Sequence, residues 1–202
     1  MVNRRRDVFR FRVDLLGIEP PIWREILVPA RYSFWDLHVA IQDAMGWLDC
    51  HLHEFHVEAD DVDSQEMVFG LPMDDGCDLP YAVLPGWQFF IVDFVSEPDA
   101  VMRYEYDFGD SWIHSVKLLD IEVREKGKKY PRCTAGARAC PPEDCGGLPG
   151  YEELLRIIFA PPDSDYESMN EWIPQGWGPE IFNVSSVKFD NPKRRWRIAL
   201  GQ

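Results

Sequence analysis

Apolar and polar residues alternate cleanly at the start of the chain. Phe9, Phe11, Val13 and Leu15 interleave with Arg10, Arg12 and Asp14, the pattern of a half-buried strand over residues 8–16. Gly17 to Pro21 turns the chain, and Ile22 to Val28 reads as an antiparallel partner ended by Pro29. The period then changes. Phe34, Leu37, Ile41, Ala44 and Met45 fall on one helical face, with Ser33 and Asp36 spaced as a capping box and Gly46 as a stop. A third strand is expected from His51 to Glu58 and a short one over Met67–Phe69. Trp87 to Val95 is apolar throughout and reads as a strand or a short buried helix.

Two further runs flank the most unusual stretch. Met102, Tyr104, Tyr106 and Phe108 alternate with polar residues, and an imperfect period of two runs from Ile113 to Val123. Between them Asp107-Phe-Gly-Asp-Ser-Trp112 predicts a turn, with Gly109 as the residue suited to a positive φ. Residues 130–150 are rich in Pro, Gly and Cys and are expected to be irregular. Tyr151–Phe159 reads as a helix stopped by Pro161 and Pro162, and a second helix is expected from Asp163 or Ser164 to Ile173. Near the end come a short Asn183-capped segment and a basic tail. Sheet-forming runs with few helices predict an α+β fold. The sheet should be largely antiparallel with helices packed on one face, in a single domain over residues 1–202.

Composition narrows the class. Hydrophobic residues make up 46% of 202, with eight Trp and twelve Phe to fill a core. No apolar run reaches the length of a membrane span, and charges interrupt Val8 to Leu16, so the pattern is not that of an export signal. The expected compartment is the cytoplasm, where five cysteines read as thiols or metal ligands. Net charge is −14 and uneven. Residues 1–31 carry seven arginines against four carboxylates, and residues 188–202 five basic residues against one carboxylate. The acidic body between them opposes nucleic acid. Binding to it is expected to be weak, salt-sensitive and confined to Arg4–Arg6 and Lys193–Arg197. A protein partner fits the composition equally well, and a membrane does not.

Three constellations carry chemistry. His51 and His53 on one strand face, with bases about 6–7 Å apart, match a pair that can converge on a metal such as zinc; alternatively they are hydrogen-bonded at a sheet surface. Asp107, Asp110 and His114 combine carboxylates with an imidazole, as a general acid/base pair or a hard-metal site does; Asp capping the turn is the plainer reading. Cys133, Cys140 and Cys145 could wrap a soft metal, although free cysteines are often small buried apolar residues. Pro141-Pro142 aims Glu143 and Asp144, and Gly146-Gly147 lets the chain pass close to another surface. The 139–147 loop is therefore expected to fold over the Asp107–His114 hairpin.

Four of these pieces are familiar together. Pro-Pro-Ile-Trp-Arg (20–24), Met-Gly-Trp (45–47) followed by His-Leu-His-Glu-Phe (51–55), Tyr-Glu-Tyr-Asp-Phe-Gly-Asp-Ser-Trp-Ile-His (104–114) and Ala-Cys-Pro-Pro-Glu-Asp-Cys-Gly-Gly-Leu-Pro-Gly-Tyr (139–151) resemble the motifs of Ri-plasmid open-reading-frame-three-like proteins. Such proteins are also met as TnpR-like passenger proteins of transposons. The resemblance covers roughly residues 8–185. It implies an α+β domain, an association with mobile elements and no particular activity. It falls on Trp23, Arg24, His53, Asp107, Gly109, Asp110, Trp112, His114, Pro142, Glu143, Asp144 and Gly147. The chain has no serine- or tyrosine-recombinase pattern, so recombination is not expected. Two functions follow: a binding or regulatory module with a polar cleft at the hairpin, or a metal-dependent hydrolase using Asp107, Asp110, His114, Glu143 and Asp144.

Overall fold

The structure, a computed structural model, describes residues 2–58, 66–72, 81–160 and 173–199. Eight strands form one sheet: β1 (Asp7–Leu15), β2 (Ile22–Pro29), β3 (His53–Val57), β4 (Met67–Gly70), β5 (Val83–Pro85), β6 (Val101–Tyr106), β7 (Trp112–Val123) and β8 (Arg132–Ala137). Their order is β5-β4-β3-β6-β7-β1-β2-β8, antiparallel except for the β4–β5 pair. The class is α+β, as the sequence predicts. Among the described residues three helices accompany the sheet: α1 (Phe34–Met45), α2 (Gly147–Phe159) and α3 (Pro192–Ala199). Among the described residues no helix is long and apolar enough to cross a membrane.

The sheet is one-sided because the alternation is carried in register across it. Leu15, His114, Tyr104, Phe55 and Phe69 are successive cross-strand partners over five strands, so all point to the same face. That face is the core. Phe9, Phe11, Phe34, Phe55 and Phe69 are fully buried in it, each burial being worth about 2 kcal/mol. The opposite face is laced with ion pairs: Arg10 with Glu25 and Glu122, Arg12 with Asp14, and Arg103 with Glu105.

Helix α1 starts and stops where its sequence says it should. Ser33 and Asp36 form both halves of the capping box, and Gly46 ends the helix with φ of 96°. Asn183 caps a short 3-10 turn as expected. Four expectations need correction. Residues 130–150 are not all irregular, because Arg132–Ala137 pairs along β2 as an edge strand. Gly136 makes that possible, since a Cβ there would lie 2.4 Å from the Phe182 ring. Helix α2 begins at Gly147 rather than Tyr151, with Pro149 tolerated in the first turn. The basic tail is itself helical, as α3. In the β6–β7 hairpin the positive φ angles belong to Asp107 (58°) and Ser111 (53°), not to Gly109. Within Trp87–Val95 regular structure is confined to a 3-10 turn at Ile91–Asp93 and one bridge at Phe90. The helix expected over 163–173 and most of the acidic stretch after Glu58 lie outside the described residues.

Candidate metal centre

The hairpin tip is held by Asp107. Its Oδ1 accepts the backbone N–H groups of Gly109 (3.0 Å) and Asp110 (3.3 Å), which leaves Oδ2 to face outward from the turn. The 139–147 loop lies over this tip. Gly146 donates its N–H to Asp110 Oδ2 at 3.2 Å, and a Cβ on Gly147 would sit 2.6 Å from the Asp110 carbonyl oxygen. That close approach is what the paired glycines permit.

The loop brings its acids to a third segment, the turn before β3. His51 Nε2 lies 3.0 Å from Asp144 Oδ1, 3.6 Å from Asp107 Oδ2 and 4.0 Å from Glu143 Oε2. None of these contacts has hydrogen-bond geometry, and the nitrogen is buried. His51, Asp107 and Asp144 form one donor group. Cys50 joins His51 and Glu143 in a second, overlapping donor group. In each group the donor atoms lie within 4.8 Å of one another, the spacing that one cation can bridge.

The surrounding chain fixes these donors. Glu143 Oε1 accepts the Leu48 N–H at 2.6 Å and the Tyr106 hydroxyl at 3.1 Å, and the same hydroxyl accepts the Cys50 N–H at 3.1 Å. Burial pushes the Glu143 carboxyl above the ordinary carboxylate range, and burial with the nearby Glu143 pushes the Cys50 thiol up. Asp49, Asp107 and Asp144 all adopt left-handed backbone, with φ of 60°, 58° and 56°. Three such non-glycine residues around one cluster mark backbone held by its surroundings.

Other sequence-predicted site residues lie elsewhere. His53 is on β3 and faces the core, stacked on His38 with ring centroids 3.4 Å apart and planes 7° from parallel. Burial first, and then the neighbouring His38 imidazole, push its pKa well below the usual imidazole value. His51 precedes the strand, so the expected shared face does not exist. His114 is fully buried opposite Tyr104, with Nδ1 3.4 Å from the Tyr104 carbonyl oxygen, and burial lowers its pKa to about 4. Asp110 braces the loop and is absent from both donor groups. The three cysteines are not brought together: among the described residues, no donor group holds more than one cysteine. Cys133 on β8 donates to the Ala135 carbonyl, and the buried Cys140 touches Met45 Sδ at 3.2 Å. Burial raises the Cys145 thiol to about 12. Cys50 was not read from the sequence, although its place beside His51 was a visible signal.

A one-sided sheet whose hairpin tip, loop and strand entry converge in an imidazole–carboxylate cleft defines the class, an α+β protein with a built polar site. Within that class the chain belongs to the family described as plasmid pRiA4b ORF-3-like protein, whose pattern matches residues 7–186. It is 32% identical over 167 residues to uncharacterized protein y4hQ of Sinorhizobium fredii, covering 82% of this chain and 80% of that one. It is also similar to the crystal structure of the protein of unknown function MM3350 from Methanosarcina mazei Go1. That likeness has a TM-score of 0.81 and 36% identity, over 91% of this chain and 99% of the other. Neither name states an activity.

Proposed function

We propose that the protein is a single-domain, cytoplasmic binding module of mobile-element origin. Its polar cleft takes a divalent cation, zinc, at His51, which belongs both to the donor group with Asp107 and Asp144 and to the overlapping one with Cys50 and Glu143. One observation carries the reading: a buried imidazole nitrogen faces three carboxylates without hydrogen-bonding any of them. Three carboxylates around one imidazole repel one another unless a cation sits among them. A donor set with imidazole and thiol favours zinc over magnesium or calcium. The plasmid in the family's description supports the mobile-element origin. The hydrolase alternative rests on Glu143, whose raised carboxyl is suited to accepting a proton from a water beside the cation.

The test is calorimetric titration of chelator-treated protein with zinc, together with elemental analysis. One zinc per chain, removed again by chelator without loss of the fold, is expected. His51→Ala should weaken binding by about 100-fold, in line with loss of a metal ligand. A protein that takes up no zinc, or binds it equally well without His51, would overturn the proposal.

A further inference from the structure

A cleft of about 850 Å³ runs beside the donor cluster and shares Glu143 and Asp144 with it as lining residues. Its other walls include Trp47, Pro141, Trp177 and Phe182. The size and the aromatic lining are those of small-molecule sites. Both tryptophans are held by the 139–147 loop and the segment it continues. Trp47 donates its indole N–H to the Pro141 carbonyl at 2.9 Å, and Trp177 donates to the Cys140 carbonyl at 2.8 Å.

Arg24 also lines the cleft, and its surroundings are unusual. It is 1% exposed, yet among the described residues no carboxylate forms an ion pair with it. By contrast, the other buried arginine, Arg138, pairs with Glu180. Arg24 Nε donates to the Ala44 carbonyl at 2.8 Å, and Nη1 donates to the Trp23 and Ala137 carbonyls at 2.8 and 2.9 Å. Phe182 covers the guanidinium at 3.7 Å. Nη2 is left with Cys140 Sγ at 3.9 Å, a weak acceptor. Burial raises the Cys140 thiol to about 11, so the sulfur is neutral and supplies no counter-charge. A buried cation surrounded by dipoles, with one edge lacking an oxygen acceptor, is an incomplete arrangement.

We infer that this cleft binds a small organic anion, its flat apolar body against the tryptophans and Phe182 and its acid group at Arg24 Nη2. The inference does not rest on the metal reading. The two meet only at Glu143 and Asp144, whose charges oppose an anion until a cation balances them.

The probe is 8-anilinonaphthalene-1-sulfonate, an aromatic sulfonate, compared with the neutral N-phenyl-1-naphthylamine. Each is titrated into the full chain with chelator and again with zinc, followed by dye fluorescence and by the indole N–H resonances of Trp47 and Trp177. Saturable binding of one sulfonate per chain in at least one condition is expected, with both resonances shifted. Ser186→Trp, at the exposed rim of the cleft, should abolish it, and Arg24→Met should weaken it at least tenfold while sparing the neutral dye. If Arg24→Met does not fold, the preference of the native chain for the sulfonate over the neutral dye decides instead. No saturable binding in either condition, binding indifferent to Ser186→Trp, or equal affinity for the two dyes would overturn the inference. Zinc uptake is measured separately, so failure here leaves the metal result standing.

Discussion

Two polar regions of this molecule use the same residue types to opposite ends. One is closed and lies in the core. Arg195 of α3 bonds Asp43 at 2.6 Å and Asp49 at 3.2 Å, and Asp49 faces His38 Nε2 at 2.6 Å. His38 Nδ1 lies 2.8 Å from the Tyr104 hydroxyl, which accepts from Gln42 Nε2 at 3.0 Å. Gln42 donates to Tyr104, so the Tyr104 proton goes to His38 Nδ1 and the imidazole proton sits on Nε2 toward Asp49. Both His38 nitrogens and the Arg195 guanidinium have hydrogen-bond partners, although one guanidinium meets two carboxylates and Gln42 Oε1 is buried without a partner. The other region is open. At His51, three carboxylates meet one imidazole, and no hydrogen bond closes the set. A network closed by hydrogen bonds around a cation contributes specificity and ties a helix down; a cluster without its own cation is left with negative charge that a bound one can satisfy.

The largest expected effect breaks the closed region. Arg195→Ala leaves Asp43 and Asp49 without their cation and should cost about 3 kcal/mol in urea unfolding. A cost below about 1 kcal/mol would show that the network does not hold α3. In the open region the reverse is expected: Asp144→Asn, which tolerates the left-handed backbone there, should without metal leave stability unchanged or slightly higher.

Acid tests the buried core beside the closed region next. His114 has a folded pKa of about 4, against 6.5 when solvated. Between those values the unfolded chain binds more protons than the folded one, so stability falls as pH drops from about 6.5 to about 4. The loss should be about 2–3 kcal/mol from this residue, and His114→Met should flatten that part of the curve in urea midpoints taken across the range. A native profile flat from pH 6.5 to 4 would contradict the burial argument.

Asp107→Asn sharpens the contrast within one side chain. Asn keeps the Oδ1 acceptor and tolerates left-handed backbone, so stability should change by less than about 0.5 kcal/mol. It loses the charge on Oδ2, so zinc affinity should fall about tenfold or more in the same titration used for His51→Ala. The smallest effect is expected at Asp110. Asp110→Asn should move stability by less than about 0.5 kcal/mol and zinc affinity by less than about twofold, because Asp110 holds Gly146 and donates to no cation. A large loss of zinc there would move the centre toward the loop.

What the sequence determined by itself is local. Alternation in β1 and β6 fixed which residues face the core, because side chains in a strand alternate whatever the strand pairs with. Ser33, Asp36 and Gly46 fixed both ends of α1, because caps act within four residues. Asp107, Glu143 and Asp144 were legible as candidates because polar residues clustered in turns have few structural reasons to be there. The tertiary structure decided the rest. His51 and His53, two residues apart, part company because β3 begins only at His53, a boundary set by pairing with Tyr106 on a strand 53 residues away. Cys133 became part of an edge strand only because β2 was there to pair with it. The donor cluster joins the turn before β3, the β6–β7 tip and the loop before α2. Local propensity specifies each of those segments but not their distance from one another; burial of the shared core face sets that distance.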